Sequence, residues 1–65
     1  MKAFIIEADG LYLTDADFAI DEAKWTEEID LATPFKDGRA AWRAVEKWNE
    51  LYRVELICRV MRHDF

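Results

Sequence analysis

Apolar and polar residues alternate at period two near both ends of the chain and recur at helical spacing between them. In AFIIEADGLYLT, two runs of strand-forming residues flank Asp9-Gly10. That dipeptide suits a two-residue type I′ turn because both of its positions need positive φ, so a β-hairpin is predicted. Pairing Ala8 with Leu11 sets Ile6 opposite Leu13 and Glu7 opposite Tyr12. Phe4, Ile6, Ala8, Leu11 and Leu13 then share one face, and Ala3, Ile5, Glu7, Tyr12 and Thr14 the other. One wholly apolar face and one mixed face is the pattern of a sheet covered on one side.

From Phe35 onward the period changes. Asp37 is a good N-cap, Gly38 is tolerated in a first turn, and Arg39 to Glu50 contains no breaker. At 100° per residue, Ala41, Val45, Trp48 and Tyr52 fall on one stripe with Ala44 and Leu51 beside it. Trp42 lies at the margin among Arg39, Arg43, Glu46 and Asn49, so its indole is expected to be partly exposed or to cover the sheet edge. The closing RVELICRVM alternates again. Val54, Leu56, Cys58 and Val60 form an inner row, and Arg53, Glu55, Ile57, Arg59 and Met61 an outer one. A strand is predicted there, with Arg62 to Phe65 fraying beyond it.

The segment between hairpin and helix is less regular. Thr14 followed by Asp17 resembles a capping box, whereas Phe18 and Ile20 at period two suit a third strand. A strand near Phe18 to Ile20 fits better after a hairpin. A helical turn or tight bend capped by Thr26 would then run through Glu27 to Leu31, and Thr33-Pro34 would enforce an extended entry to the helix. The fold class is therefore α+β in ββ(β)αβ order: a small antiparallel sheet of three or four strands with one helix packed on one face.

Sixty-five residues make a single compact domain, residues 1–65, and a chain of this length hides only about 60% of the surface its unfolded form exposes. With 52% hydrophobic residues and nine aromatics it is too apolar for a disordered chain. Cys58 is the only cysteine, which rules out an internal disulfide and points to a reducing compartment or to simple indifference to redox, with the cytoplasm as the default. The opening MKAFIIEADG is neither a signal peptide nor long enough to span a bilayer, so no membrane association is expected.

Charge changes the picture more. Residues 1–33 hold nine acids against Lys2 and Lys24, a balance of −7, and residues 34–65 hold five acids against seven bases, a balance of +2. A charged partner meeting the N-terminal half should be basic, and nucleic acid should be repelled from it. Seven of those acids, Asp15, Asp17, Asp21, Glu22, Glu27, Glu28 and Asp30, crowd into DADFAIDEAKWTEEID around Phe18, Ile20, Trp25 and Ile29. Apolar pegs of this kind would hold carboxylates in a fixed array that imitates spaced phosphates; without burial, the acids serve solvation only.

Catalytic candidates are few. His63 is third from the end of the chain with no serine or second histidine to complete a nucleophile and base, and is expected to be a solvated tail residue. Cys58, on an inner row, is expected to act as a small apolar side chain with a raised pKa. Asp15 and Asp17 match the first two positions of a calcium loop, but Ala19 and Ile20 break it. Gly10 and Gly38 are the only glycines, which excludes a phosphate-cradling loop. No catalytic residue, metal site or cofactor is predicted, and the protein is expected not to be an enzyme. Trp42 beside arginines has the composition of an interface anchor.

The segments ADGLYLT, WTEEIDLATPF, RAAWRAVEKW and RVELICRV together resemble small domains common in phage and prophage genomes, in which a hairpin, a Trp, a short turn, a helix and a last strand follow one another. In size and acidity the chain is also similar to phage-encoded anti-CRISPR proteins. That second likeness implies a host-cytoplasm inhibitor that occupies the basic nucleic-acid groove of a CRISPR effector complex; it transfers no particular residue. The expected partner-binding set is Asp15, Asp17, Asp21, Glu22, Glu27, Glu28, Asp30 and Trp42. The competing expectation is an accessory protein that self-associates through its outer sheet face, Ile5, Tyr12, Ile57 and Met61, with the acids conferring only solubility.

Overall fold

The computed structural model describes the backbone of residues 1–17 and 22–65, and the side chains of residues 1–14 and 25–65. Four strands, β1 (Lys2–Ala8), β2 (Leu11–Asp17), β3 (Glu22–Thr26) and β4 (Arg59–Asp64), form one antiparallel sheet in the order β3-β2-β1-β4. One helix, α1 (Gly38–Tyr52), packs on it, giving the α+β layer pair expected.

The hairpin forms as its turn chemistry requires. Asp9 and Gly10 both have positive φ, 54° and 82°, and the register is Glu7↔Tyr12 and Ala8↔Leu11. Beyond these pairs β1 and β2 part. The Thr33 N–H donates to the Leu13 carbonyl at 2.8 Å, and Phe4 and Phe35 exchange two backbone hydrogen bonds at 2.9 and 2.8 Å. Residues 33–35 thus lie between the two strands, closing the open end of the hairpin. Leu13, whose side chain packs beside Ile6, turns its carbonyl to this inserted segment.

The segment reaches that gap from the face opposite the helix. The Thr26 Oγ1 accepts from the Glu28 N–H at 3.1 Å, a 3₁₀ turn covers Ile29–Leu31, and the Thr14 hydroxyl donates to the Leu31 carbonyl at 2.6 Å. The chain therefore crosses β2 on one face, passes through the sheet plane at residues 33–35, and emerges on the other face as α1. Asp37 caps that helix, its Oδ1 accepting from the Ala40 N–H at 2.8 Å.

Between helix and sheet, Ile6, Leu13, Ala41, Ala44 and Val45 are buried, with Phe4, Trp25, Phe35, Leu56, Cys58 and Val60 packed around them. Small alanines on the helix let its axis approach the sheet. Trp48 closes the far side, edge-on to Trp25 at 5.6 Å and tilted against Tyr52 at 4.3 Å. Helix positions read as core from spacing alone divide accordingly: Ala41, Ala44 and Val45 are buried, and Leu51 and Tyr52 are exposed, because the helix overruns the sheet at its C-terminal end.

Three expectations need correcting. The last strand is Arg59–Asp64 and not residues 53–61. The helix runs to Tyr52, Arg53 reverses the chain in the left-handed region (φ 53°), and Asn49 Oδ1 accepts from the Leu56 N–H at 2.7 Å, so 53–58 return the chain from the helix layer to the sheet edge. Arg62 to Asp64 do not fray: they pair with Phe4, Ala3 and Lys2, and the Phe65 N–H donates to the Met1 carbonyl. Ile5 is not on an open outer face but fully buried, with Ala3 and Ala32 buried beside it, because the segment containing the 3₁₀ turn lies over that side. A strand near Phe18 to Ile20 falls outside the described residues. The third strand that is described, β3, begins at Glu22.

Candidate functional site

The acidic stretch is divided by the fold. Asp15 and Asp17 lie in β2 and Glu22 opens β3, with Asp17 paired to Glu22 across a register shift that follows Thr14. Asp21 lies outside the described residues. Glu27, Glu28 and Asp30 are exposed on the 3₁₀ segment, and the Asp30 side chain keeps 82% of its accessible surface.

That segment is anchored rather than loose. Besides the Thr26 and Thr14 bonds, the Leu31 N–H donates to the Glu28 carbonyl at 3.0 Å and the Ala32 N–H to the Ile29 carbonyl at 3.1 Å. Asp30 Oδ1 lies 2.9 Å from His63 Nε2 on β4, more than thirty residues away in sequence. Of the four apolar pegs, Trp25 packs against the core and Ile29 is half-buried; Phe18 and Ile20 lie outside the described residues. Glu27, Glu28 and Asp30 therefore project from a backbone fixed by these four hydrogen bonds and by Trp25 beside it, with the Asp30–His63 contact added through the side chain.

His63, expected as a solvated tail residue, is largely covered: it stacks edge-on against Phe65 at 4.6 Å and binds Asp30. The alternation Arg59, Met61, His63 carried the signal for this placement, since it continues the strand period past the point where fraying was expected.

Trp42 does not join the acids. Its side chain is 48% exposed on α1, on the opposite side of the sheet from the 3₁₀ segment. Of the expected partner-binding set, Glu27, Glu28 and Asp30 thus lie on the face crossed by the 3₁₀ turn and Trp42 on the helix layer, while Asp15 and Asp17 belong to the backbone of β2 and Glu22 to that of β3.

A second polar constellation was not singled out in the sequence. Glu7 Oε1 accepts from the Gly10 N–H at 2.9 Å and Oε2 accepts from Arg59 Nε at 2.7 Å, so one carboxylate holds both the hairpin turn and β4. The Gly10 amide, and after it the Arg59 guanidinium, hold the Glu7 carboxyl below its ordinary value of 4.5. Burial, and then the Glu7 charge, push the Cys58 thiol up, which keeps it protonated and weakens it as a nucleophile. Together Glu7, Ala8, Asp9, Ile57, Cys58 and Arg59 line an open depression beside the turn.

Among the described residues no group of three or more His, Cys, Asp or Glu side chains is placed to hold a metal ion. Among them also, no helix is long and apolar enough to cross a membrane. Of the outer-face residues expected to pair two copies, Ile5 is unavailable, Tyr12 and Met61 are half-buried, and Ile57 is 89% exposed. No protein family, curated protein or solved structure matches the chain.

Proposed function

We propose that this is a non-catalytic binding protein whose acidic N-terminal half occupies a basic, nucleic-acid-binding groove on a host protein in the host cytoplasm. The supporting observation is the anchoring of the 3₁₀ segment: Glu27, Glu28 and Asp30 are exposed on a backbone tied to β2, β3 and β4. Carboxylates carried on a backbone that is already ordered leave only side-chain freedom to be lost on docking, which helps a charge array compete with a polyanion. The balance of −7 over residues 1–33 supplies long-range attraction to a basic partner, speeding association and weakening with salt. Likeness in size and acidity to phage-encoded anti-CRISPR proteins makes a CRISPR effector complex the first partner to try, with Asp15, Asp17, Asp21 and Glu22 extending the array and Trp42 serving any contact on the helix side.

Burial of Ile5 removes the centre of the sheet face that a self-associating accessory protein would use, which favours the acidic reading over that one. The test is whether added protein blocks target-DNA binding by purified effector complexes, compared with the variant Asp17→Lys, Asp21→Lys, Glu27→Lys, Glu28→Lys. Inhibition that falls with salt and disappears in the folded variant is the expected result. Inhibition retained by the variant would refute phosphate mimicry.

A further inference from the structure

The two edges of the sheet are built differently. On the β3 side the pairing is interrupted by a register shift between Thr14 and Asp17, the kind of irregularity that twists an edge away from new partners. On the other side β4 runs straight: six consecutive pairs, Lys2↔Asp64 to Glu7↔Arg59, with no shift and no proline. The strand is also tied at its end, where the Met1 ammonium binds Asp64 Oδ1 at 3.0 Å and the Phe65 carbonyl at 3.2 Å.

The direction of its free backbone groups follows from the ladder. Phe4 spends both its N–H and its C=O on Phe35, on the β2 side of β1. Strand alternation then turns Ala3, Ile5 and Glu7 toward β4, where they bond His63, Met61 and Arg59. The N–H and C=O groups of Val60, Arg62 and Asp64 accordingly point out of the sheet, at an edge that no other described strand covers.

The side chains along this edge select a partner. Arg59 and Arg62 are exposed three positions apart, with half-buried Val60 and Met61 between them. Arg62 is held over the Phe4 ring at 5.7 Å and Arg59 by Glu7, so both guanidiniums are pre-positioned and keep further N–H donors free. A second copy fits poorly. Antiparallel pairing joins outward-facing residues to outward-facing ones, and the registers with most overlap are centred on Arg62, setting two guanidiniums face to face, or on Met61, setting Arg59 opposite His63 twice, and neither gives an arginine a directly opposite carboxylate to meet. A register centred on His63 would pair Arg62 with Asp64, but Asp64 is already committed to the Met1 ammonium and half the strand would be left unpaired.

We infer that the β4 edge is a docking site for an extended acidic segment of a partner protein, added as a fifth strand, with the pattern carboxylate, apolar, apolar, carboxylate opposite Arg62, Met61, Val60 and Arg59. Backbone bonds to Val60, Arg62 and Asp64 supply the affinity, and the two arginines fix register and exclude basic strands. This surface has the opposite sign to the acidic array and does not depend on it.

The probe is a capped peptide, Thr-Glu-Val-Val-Glu-Thr, titrated into the isotope-labelled full chain while amide NMR shifts are followed. Expected are shifts concentrated at Val60, Arg62 and Asp64, binding at least about tenfold weaker for the peptide with lysine in place of glutamate, and loss of binding when the first Glu and second Val are N-methylated. The N-methyl control leaves the protein itself unaltered, and Arg62→Glu should weaken binding about tenfold. Absence of β4 shifts at millimolar peptide, equal binding of the lysine peptide, retained binding of the N-methylated one, or β4 shifts caused by self-association without peptide would each overturn the inference.

Discussion

Replacing Arg53 with glycine should stabilise the protein. Arg53 ends α1 at φ 53° and ψ 42°, where its N–H and that of Val54 both donate to the Asn49 carbonyl. In that left-handed conformation the Cβ of an L-residue crowds the following carbonyl, costing about 1–2 kcal/mol. Glycine escapes the clash but gives up about 0.5–1 kcal/mol to its more flexible unfolded chain. The Arg53 side chain is exposed, and the cap bonds come from backbone groups that glycine retains. A net gain of about 0.5–1 kcal/mol remains, which for a domain of this size raises Tm by about 3–6 °C. Thermal unfolding followed by far-ultraviolet circular dichroism reads the shift, with Arg53→Val as the counterpart that should lower Tm through its branched Cβ. If the glycine variant keeps its helix content and melts at the same or a lower temperature, the helix does not end in the left-handed reversal described.

Other expectations follow from the same contacts. Asn49→Ala strips the partly buried Leu56 N–H of its acceptor and should cost about 1–2 kcal/mol in urea unfolding, whereas Asn49→Asp, which keeps an oxygen there, should cost clearly less. The Glu7 carboxyl is held below its ordinary value of 4.5 in the fold, so its contribution is fully present above that pH and is lost as pH falls through the lower folded-state value. Urea titrations of the parent and Glu7→Gln should therefore differ most near neutrality and converge on acidification; a gap that widens toward acid would contradict this. Cys58, its thiol pushed up by burial and by Glu7, should react with iodoacetamide more slowly than a free cysteine peptide at mildly alkaline pH, and faster once Glu7 is replaced by glutamine.

The proposed acidic array draws on parts of the chain that sequence patterning treats separately. Reversal of four of its acids tests the groove-binding reading. The anchoring of its 3₁₀ segment comes from Thr14, Thr26 and His63, none of which belongs to the run of acids itself. Thr14 read as a candidate helix cap, and its hydroxyl instead holds the 3₁₀ segment to β2.

What the sequence determined by itself is local. Asp9-Gly10 dictates a type I′ turn because only a few residues accept two successive positive φ angles, and the register follows from it. Asp37 caps a helix whose period and lack of breakers are sufficient to set its course. Tertiary structure decided what depends on residues distant in the chain. β4 begins at Arg59 and holds through Asp64 because β1 offers a ladder of that length, and no property of residues 53–64 alone reveals where their partner starts. Passage of residues 33–35 between β1 and β2 arises because splayed hairpin strands leave backbone donors and acceptors that must be paired, and this segment pairs them; the 3₁₀ segment leading into it covers Ile5 on the face that alternation assigned to solvent.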